Sequence, residues 1–173
     1  MRRIMAVIAL SANMISANVI SANVLAFSTS SQAANVPDSH LLTVTKITDG
    51  DSLRAGDIRI RIHGIDAPEM KQFCQAQTRY NCGKAARDYL IQALGDAPTV
   101  RCVHLDTDRY NRWVMRCYHK GVDIGAGMVR AGWAVAYRRY SKDYIADEQQ
   151  AKKQKNGMWA GTFTLPWQWR REN

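Results

Sequence analysis

No stretch of this 173-residue sequence runs unbroken by polar side chains for the ~20 residues that a membrane-spanning helix needs. The nearest approach, residues 4–27, is interrupted three times by Ser-Ala-Asn, at 11–13, 16–18 and 21–23. That polarity argues against a permanent span and leaves a retained amphipathic anchor as the alternative to export. The sequence also lacks a closely spaced Cys-x-x-Cys pair, which counts against a four-cysteine zinc site. It is short of acid as well: 15 Asp and Glu stand against 24 Lys and Arg, a net charge of +9. Such a deficit favours a polyanionic partner and fast encounter with it, although charge by itself also serves solubility.

The N-terminus reads as an export leader. Arg2 and Arg3 give a positive start, an apolar stretch follows to Phe27, and Ser31-Gln32-Ala33 supplies the small residues of a cleavage site. Residues 1–33 are therefore expected to be a signal peptide cut after about Ala33, and the mature protein to be secreted or periplasmic. Disulfides persist in such compartments, which suits Cys74, Cys82, Cys102 and Cys117. Four cysteines allow three pairings. If 99–105 and 112–118 are the arms of one hairpin with its tip between Arg109 and Tyr110, Cys102 and Cys117 stand directly opposite each other, within disulfide reach. Cys74 then pairs with Cys82 and closes a small loop.

Residues 34–40 form a polar lead-in and 41–47 a first strand. Ile58, Ile60 and Ile62 alternate with Arg59, Arg61 and His63, so a strand over 57–65 turns its isoleucines inward and Arg61 outward. The turn signal Ala55-Gly56-Asp57 doubles 51–54 back onto that strand as a hairpin. Residues 71–81 lack periodicity and read as a loop. Helices are expected over 83–94, over 123–130 with Asp123 as N-cap, and over 141–155, with a short strand at 133–137. In the tail, 160–173, Phe163, Trp167 and Trp169 lie near Arg170 and Arg171. Such rings can stack on bases, but folding back to bury them is the commoner use. The whole is an α+β arrangement, a curled five-stranded sheet with three helices.

The centre of the chain is Asp49 to Glu69. Doubling back at Gly56 brings Asp51 beside Asp66, and Pro68 turns the chain so that Glu69 joins the same rim. Carboxylates held this close raise one another's pKa unless something positive sits among them. A hard divalent cation, calcium before zinc, suits a set made of carboxylate and carbonyl oxygens.

Asp49-Gly50-Asp51-Ser52, Arg61 five positions before Asp66-Ala67-Pro68-Glu69, Asp108-Arg109-Tyr110-Asn111-Arg112, and Met128-Val129-Arg130-Ala131-Gly132-Trp133-Ala134 together resemble the staphylococcal nuclease (thermonuclease) family. The resemblance covers roughly residues 41–159 and implies an OB-fold five-stranded β-barrel. It implies Arg61, Glu69 and Arg112 as catalytic residues, with Ca2+ held by Asp51, Asp66 and the backbone carbonyl of Ala67. It also implies substrate contacts from Arg109, Tyr110 and Tyr137. The implied activity is calcium-dependent endo- and exonucleolytic hydrolysis of single-stranded or denatured DNA and RNA, leaving 3′-phosphate ends; no protein partner is evident in the sequence, and a monomer is expected. A catalytically silent nucleic-acid-binding OB module is the alternative; silent copies are expected to lose part of this residue set, and this chain keeps it. Ala67 stands where the family often has threonine, and Asn111 where it has glycine. Tyr137 matches a base-stacking tyrosine only with one residue skipped, and that tyrosine's usual partner is Arg139 here.

Overall fold

The alternation of Ile58-Arg59-Ile60-Arg61-Ile62 becomes a strand whose Ile60 and Ile62 are buried while Arg59 is exposed. The computed structural model describes residues 39–173; the leader over 1–33, its cleavage point after Ala33 and most of the lead-in lie outside the described residues. The strands in chain order are β1 (Ser39–Thr43), β2 (Lys46–Asp49), β3 (Ser52–Ala55), β4 (Ile58–Ile62), β5 (Ile65–Asp66), β6 (Phe73–Gln75), β7 (Arg79–Asn81), β8 (Thr99–Thr107), β9 (Trp113–His119), β10 (Val122–Asp123) and β11 (Val135–Ala136). The helices are α1 (Cys82–Leu94), α2 (Ile124–Arg130), α3 (Ile145–Gln154) and α4 (Pro166–Glu172).

The main sheet runs β1-β8-β9-β4-β3-β2, with β10 added to β9. Its neighbours are antiparallel except β4 and β9, which pair parallel with Arg61 beside Val114. β1 and β2 are the two ends of this sheet, yet only Val44 and Thr45 separate them in the chain. Val44 N–H donates to the Pro98 carbonyl and Thr45 N–H to the Arg54 carbonyl, so the chain steps from one edge to the other. The sheet therefore curls strongly, and the expected closed five-stranded barrel with three helices is corrected to a curled mixed sheet with four helices. The α+β class holds.

Other boundaries shift for physical reasons. The expected strand over 57–65 stops at Ile62 because Gly64, at φ +74°, turns the chain, and β5 pairs instead with β11. The expected loop over 71–81 contains the β6–β7 hairpin, closed by the Cys74–Cys82 disulfide. α3 begins at Ile145 rather than Ser141, because Ser141 N–H bonds back to the Tyr137 carbonyl in a turn and Tyr144 buries its ring while its hydroxyl donates to Asp123. The Cys102–Cys117 bridge joins partners directly opposed in the β8–β9 ladder, Cα to Cα 4.1 Å. A bulge between His104 and Asp106 then slides the hairpin tip by half a residue.

Leu53, Ile60, Ile62 and Met115 from the sheet meet Leu90 of α1 and Met128 of α2 in the main core. A second, smaller core forms around Cys74, Cys82, Val135 and Met158, and the rings of Trp159, Phe163 and Trp167 pack against it. The tail thus folds back, as its composition suggested, and ends in a fourth helix that Pro166 opens.

Candidate active site

The β3–β4 ladder sets Ser52 opposite Arg61, so Asp51 emerges at the end of β3 next to the Arg61 side chain. Arg61 donates through Nη1 to Asp51 Oδ1, and through Nη2 to Asp66 Oδ1 (2.8 Å) and to the Ile65 carbonyl (3.3 Å). One guanidinium therefore spans the two aspartates, which are buried at 1% and 0% exposure. Asp51 Oδ2 also accepts from the Ala67 N–H at 2.8 Å, fixing the turn that follows β5 to the hairpin. The structure brings together Asp51, Arg61, Asp66 and Ala67, the last through its N–H rather than its carbonyl.

Glu69 stands on the next turn. Its N–H donates to Gln72 Oε1 and its carbonyl accepts from the Gln72 N–H at 2.7 Å. Gly83 at the start of α1 presses on that turn so closely that a Cβ there would lie 1.8 Å from the Glu69 carbonyl oxygen. Glu69 Oε1 accepts from Arg170 Nη1 at 2.8 Å; among the described residues Oε2 takes no hydrogen bond.

Arg170 is the site residue that sequence reasoning missed. From α4 it forks Asp66, Nη1 to Oδ1 and Nη2 to Oδ2, both at 3.0 Å. Asp66 and Arg170 are 104 positions apart, beyond any local pattern. The available signal was Pro166 at a helix N-terminus with Trp167 and Arg170 one turn apart on one face.

Burial raises the Asp66 pKa and the charge of Asp51 adds to this; the hydrogen bond from Arg170 and the charges of Arg61 and Arg170 oppose them without cancelling them. Burial and the charge of Asp51 likewise push the neighbouring Asp49 up to about 7. Burial would lower the Arg61 pKa, but Asp51 and Asp66 outweigh it and hold the guanidinium charged.

The other expected residues lie at the rim. Arg112 is not in contact with the carboxylates: its Nε donates to Asp108 Oδ2 at 2.7 Å within its own turn. The β4–β9 register nevertheless places it one residue before Trp113, which faces Ile60 next to Arg61 on β4. Asn111 adopts φ +57°, the left-handed turn that glycine would otherwise supply. Tyr110 is exposed at the hairpin tip with Arg109 over its ring (4.8 Å) and Arg109 Nη2 on its hydroxyl (2.8 Å). Tyr137 follows β11, its N–H bonded to the Gly64 carbonyl, and stacks on Trp167 at 5.4 Å and 4°. Arg139 stands over Tyr140.

The family model described as "Staphylococcal nuclease homologue" matches residues 59–161, a span that includes Arg61, Asp66, Glu69 and Arg112 and leaves out Asp51 and Arg170. An uncharacterized endonuclease of Escherichia coli O157:H7 is 33% identical over 135 residues, covering 73% of this chain and 82% of the relative. An uncharacterized endonuclease of Haemophilus influenzae is 33% identical over 137 residues, 75% and 72% of the two chains. A succinoglycan biosynthesis protein of Rhizobium meliloti is 32% identical over 117 residues, 65% and 61% of the two. With matched motifs, a matching family model and two relatives spanned over most of their length, the chain belongs to the staphylococcal nuclease family.

Proposed function

We propose that this protein is a calcium-dependent nuclease that hydrolyses single-stranded or denatured DNA and RNA with little sequence preference, leaves 3′-phosphate ends, and works outside the cytoplasm. The observation that carries the reading is the single Arg61 guanidinium spanning buried Asp51 and Asp66, with Glu69 on the adjoining turn.

Asp51, Asp66 and the Ala67 carbonyl are the groups that would hold calcium. The fit rests on charge and donor chemistry. Asp51, Asp66 and Glu69 gather three carboxylates around two guanidinium groups, Arg61 and Arg170, which leaves the cluster short of positive charge even before Asp49 is counted. These donors are all carboxylate and carbonyl oxygens, with no thiolate or imidazole among them, which is the chemistry calcium accepts. Bound there, the ion supplies Lewis-acid polarisation of the phosphate.

The protein's own groups do the rest. Arg61 spends three N–H donors on Asp51, Asp66 and Ile65, which leaves two of a guanidinium's five for the phosphate oxygens. Arg112 supplies a second guanidinium from the turn that precedes β9, with Asp108 holding its place until a phosphate competes for it. Glu69 Oε2 is the acceptor that positions and deprotonates the attacking water. Arg109 and Tyr110 hold the neighbouring phosphate, and Tyr137 meets a base.

Purified protein is expected to degrade denatured DNA and RNA with Ca2+ and to stop when a chelator is added. Glu69→Gln and Arg61→Ala are expected to lose about 10²-fold or more of the rate with an unchanged circular dichroism spectrum. Tight binding of nucleic acid without cleavage by the wild type would mark the silent-module alternative.

A further inference from the structure

We propose that Arg170 is a positioning residue of the active site, and that α4 is the element that fixes Glu69 relative to Asp66; this rests on the nuclease reading above. The geometry is a fork on Asp66, with Nη1 shared to Glu69 Oε1. A planar guanidinium can tie two carboxylates into one plane, which an ammonium cannot do. Glu69 lies on a largely buried turn, yet its side chain is one-third exposed (33%). Among the described residues Arg170 is the only hydrogen-bond donor to its carboxylate, so Arg170 decides where Oε2 points.

The segment that delivers Arg170 is built into the fold rather than laid over it. Gln75 and Thr162 exchange backbone hydrogen bonds at 2.9 and 2.7 Å. Buried Gln72 donates to the Thr164 carbonyl at 2.7 Å while its Oε1 accepts from the Glu69 N–H, so one side chain fastens the tail to the Glu69 turn itself. A Cβ on Gly161 would lie 1.9 Å from the Gln75 carbonyl, which shows how closely the two backbones approach. Trp167 stacks on Tyr137, the residue after β11, and β11 pairs with β5, the strand that carries Asp66. A displaceable plug would need few anchors, and this segment has anchors on both sides of the carboxylates. Arg170 is thus delivered to the rim by an anchored segment, although it lies 104 positions from Asp66.

The test compares Arg170→Ala, Arg170→Lys and Gln168→Ala, an exposed α4 position away from the site, with the wild-type protein on denatured DNA at saturating Ca2+. Positioning predicts that Arg170→Ala lowers kcat about 10- to 100-fold with KM moved less than about threefold. Arg170→Lys keeps the charge without the fork and should recover only a minor part of the rate, while millimolar guanidinium should partly restore the Ala variant and methylammonium should not. Gln168→Ala is expected to match the wild type. Calorimetric Ca2+ titration of the protein alone should show the Ala variant binding at least as tightly, since a positive charge has left the cluster. Tighter Ca2+ binding with kcat unchanged or raised would make Arg170 an inhibitory plug and overturn the proposal. If Arg170→Ala does not fold, the Lys variant carries the same kcat-against-KM test. An active wild type with a dead Glu69→Gln and a fully active Arg170→Lys sinks this inference alone; an inactive wild type sinks the nuclease reading and this inference with it.

Discussion

Ser52 faces Arg61 across the β3–β4 ladder, and this register carries Asp51 to Asp66. A slip of one residue would turn Arg61 into the core and take its partners out of reach. The same strand buries Ile60 and Ile62 on its other face, so the apolar pattern that holds the fold also aims the arginine.

The span of Arg61 over both aspartates can be tested separately from its charge. Arg61→Lys keeps a cation in place but offers a point charge where two carboxylates and a phosphate need a fork. We expect kcat on denatured DNA to fall about 100-fold with little loss of folded structure. A variant within threefold of the wild type would show that charge alone suffices.

Gly83 offers a second test, through the backbone. Its Cα lies so near the Glu69 carbonyl that a methyl group there must push the turn aside. On the proposed role of Glu69, Gly83→Ala should lower kcat by about 10²-fold, as expected for a displacement of order 1 Å at its carboxylate. The atoms the methyl group would meet, in Glu69 and Met70, lie outside the strands and helices, so far-ultraviolet circular dichroism should be preserved. Unchanged kcat would mean that the turn relaxes without moving Glu69.

Local pattern made much of this legible. The alternating isoleucines gave β4, Gly56 gave the turn, and Cys102 and Cys117 lay equally far from the hairpin tip, so their pairing followed from symmetry alone. Longer-range relationships were not legible. The parallel β4–β9 pairing depends on a crossover rather than a turn, and it places Arg112 beside the site without bringing it onto the carboxylates. Residues 71–81 hid a hairpin because its strands are three residues long, half of those residues are exposed, and a disulfide stands in place of an apolar face. Arg170 was out of reach because what places it, the backbone pairing of Gln75 with Thr162 and the Trp167–Tyr137 stack, joins segments distant in sequence.

The Cys102–Cys117 bridge should contribute to stability in an identifiable way. It closes a loop with a sequence separation of 15, for which chain entropy gives about 3 kcal/mol. Replacing both cysteines by valine keeps the site apolar, and a urea melt is expected to lose roughly 2–3 kcal/mol while the folded protein remains active. A loss below about 0.5 kcal/mol would assign the hairpin's stability to the ladder alone.

Glu148 gives a pH signature away from the active site. Burial would raise its pKa, but hydrogen bonds and charge from Arg138 and Lys152 overcome this and hold the carboxyl below its ordinary value. A depressed folded-state pKa contributes stability that is present above the unfolded value and lost as pH falls through the folded one. Glu148→Gln should therefore cost about 1–3 kcal/mol at neutral pH, and the gap from wild type should narrow below about pH 4. Melting temperatures recorded from pH 7 down to pH 3 check this; a gap that widens in acid would reverse the sign of the argument.

Arg109 and Tyr110 sit exposed together at the hairpin tip, the cation over the ring and bonded to the hydroxyl. This pair can meet a nucleic-acid strand in two ways, by phosphate charge and by base stacking, and salt separates them. Each phosphate contact on a single strand contributes about −0.7 to the slope of log K against log[salt]. In the cleavage-impaired Glu69→Gln background, Arg109→Ala should make that slope less steep by about 0.7. Tyr110→Ala should weaken binding by about 1–3 kcal/mol, with a smaller change in slope if the ring stacks on a base. Tyr110→Phe loses only the hydroxyl that Arg109 grips, so if the tyrosine matters chiefly by orienting Arg109, this variant should reproduce the slope change of Arg109→Ala. Binding by fluorescence anisotropy between 50 and 300 mM salt distinguishes the three, and identical slopes throughout would remove the hairpin tip from the substrate path.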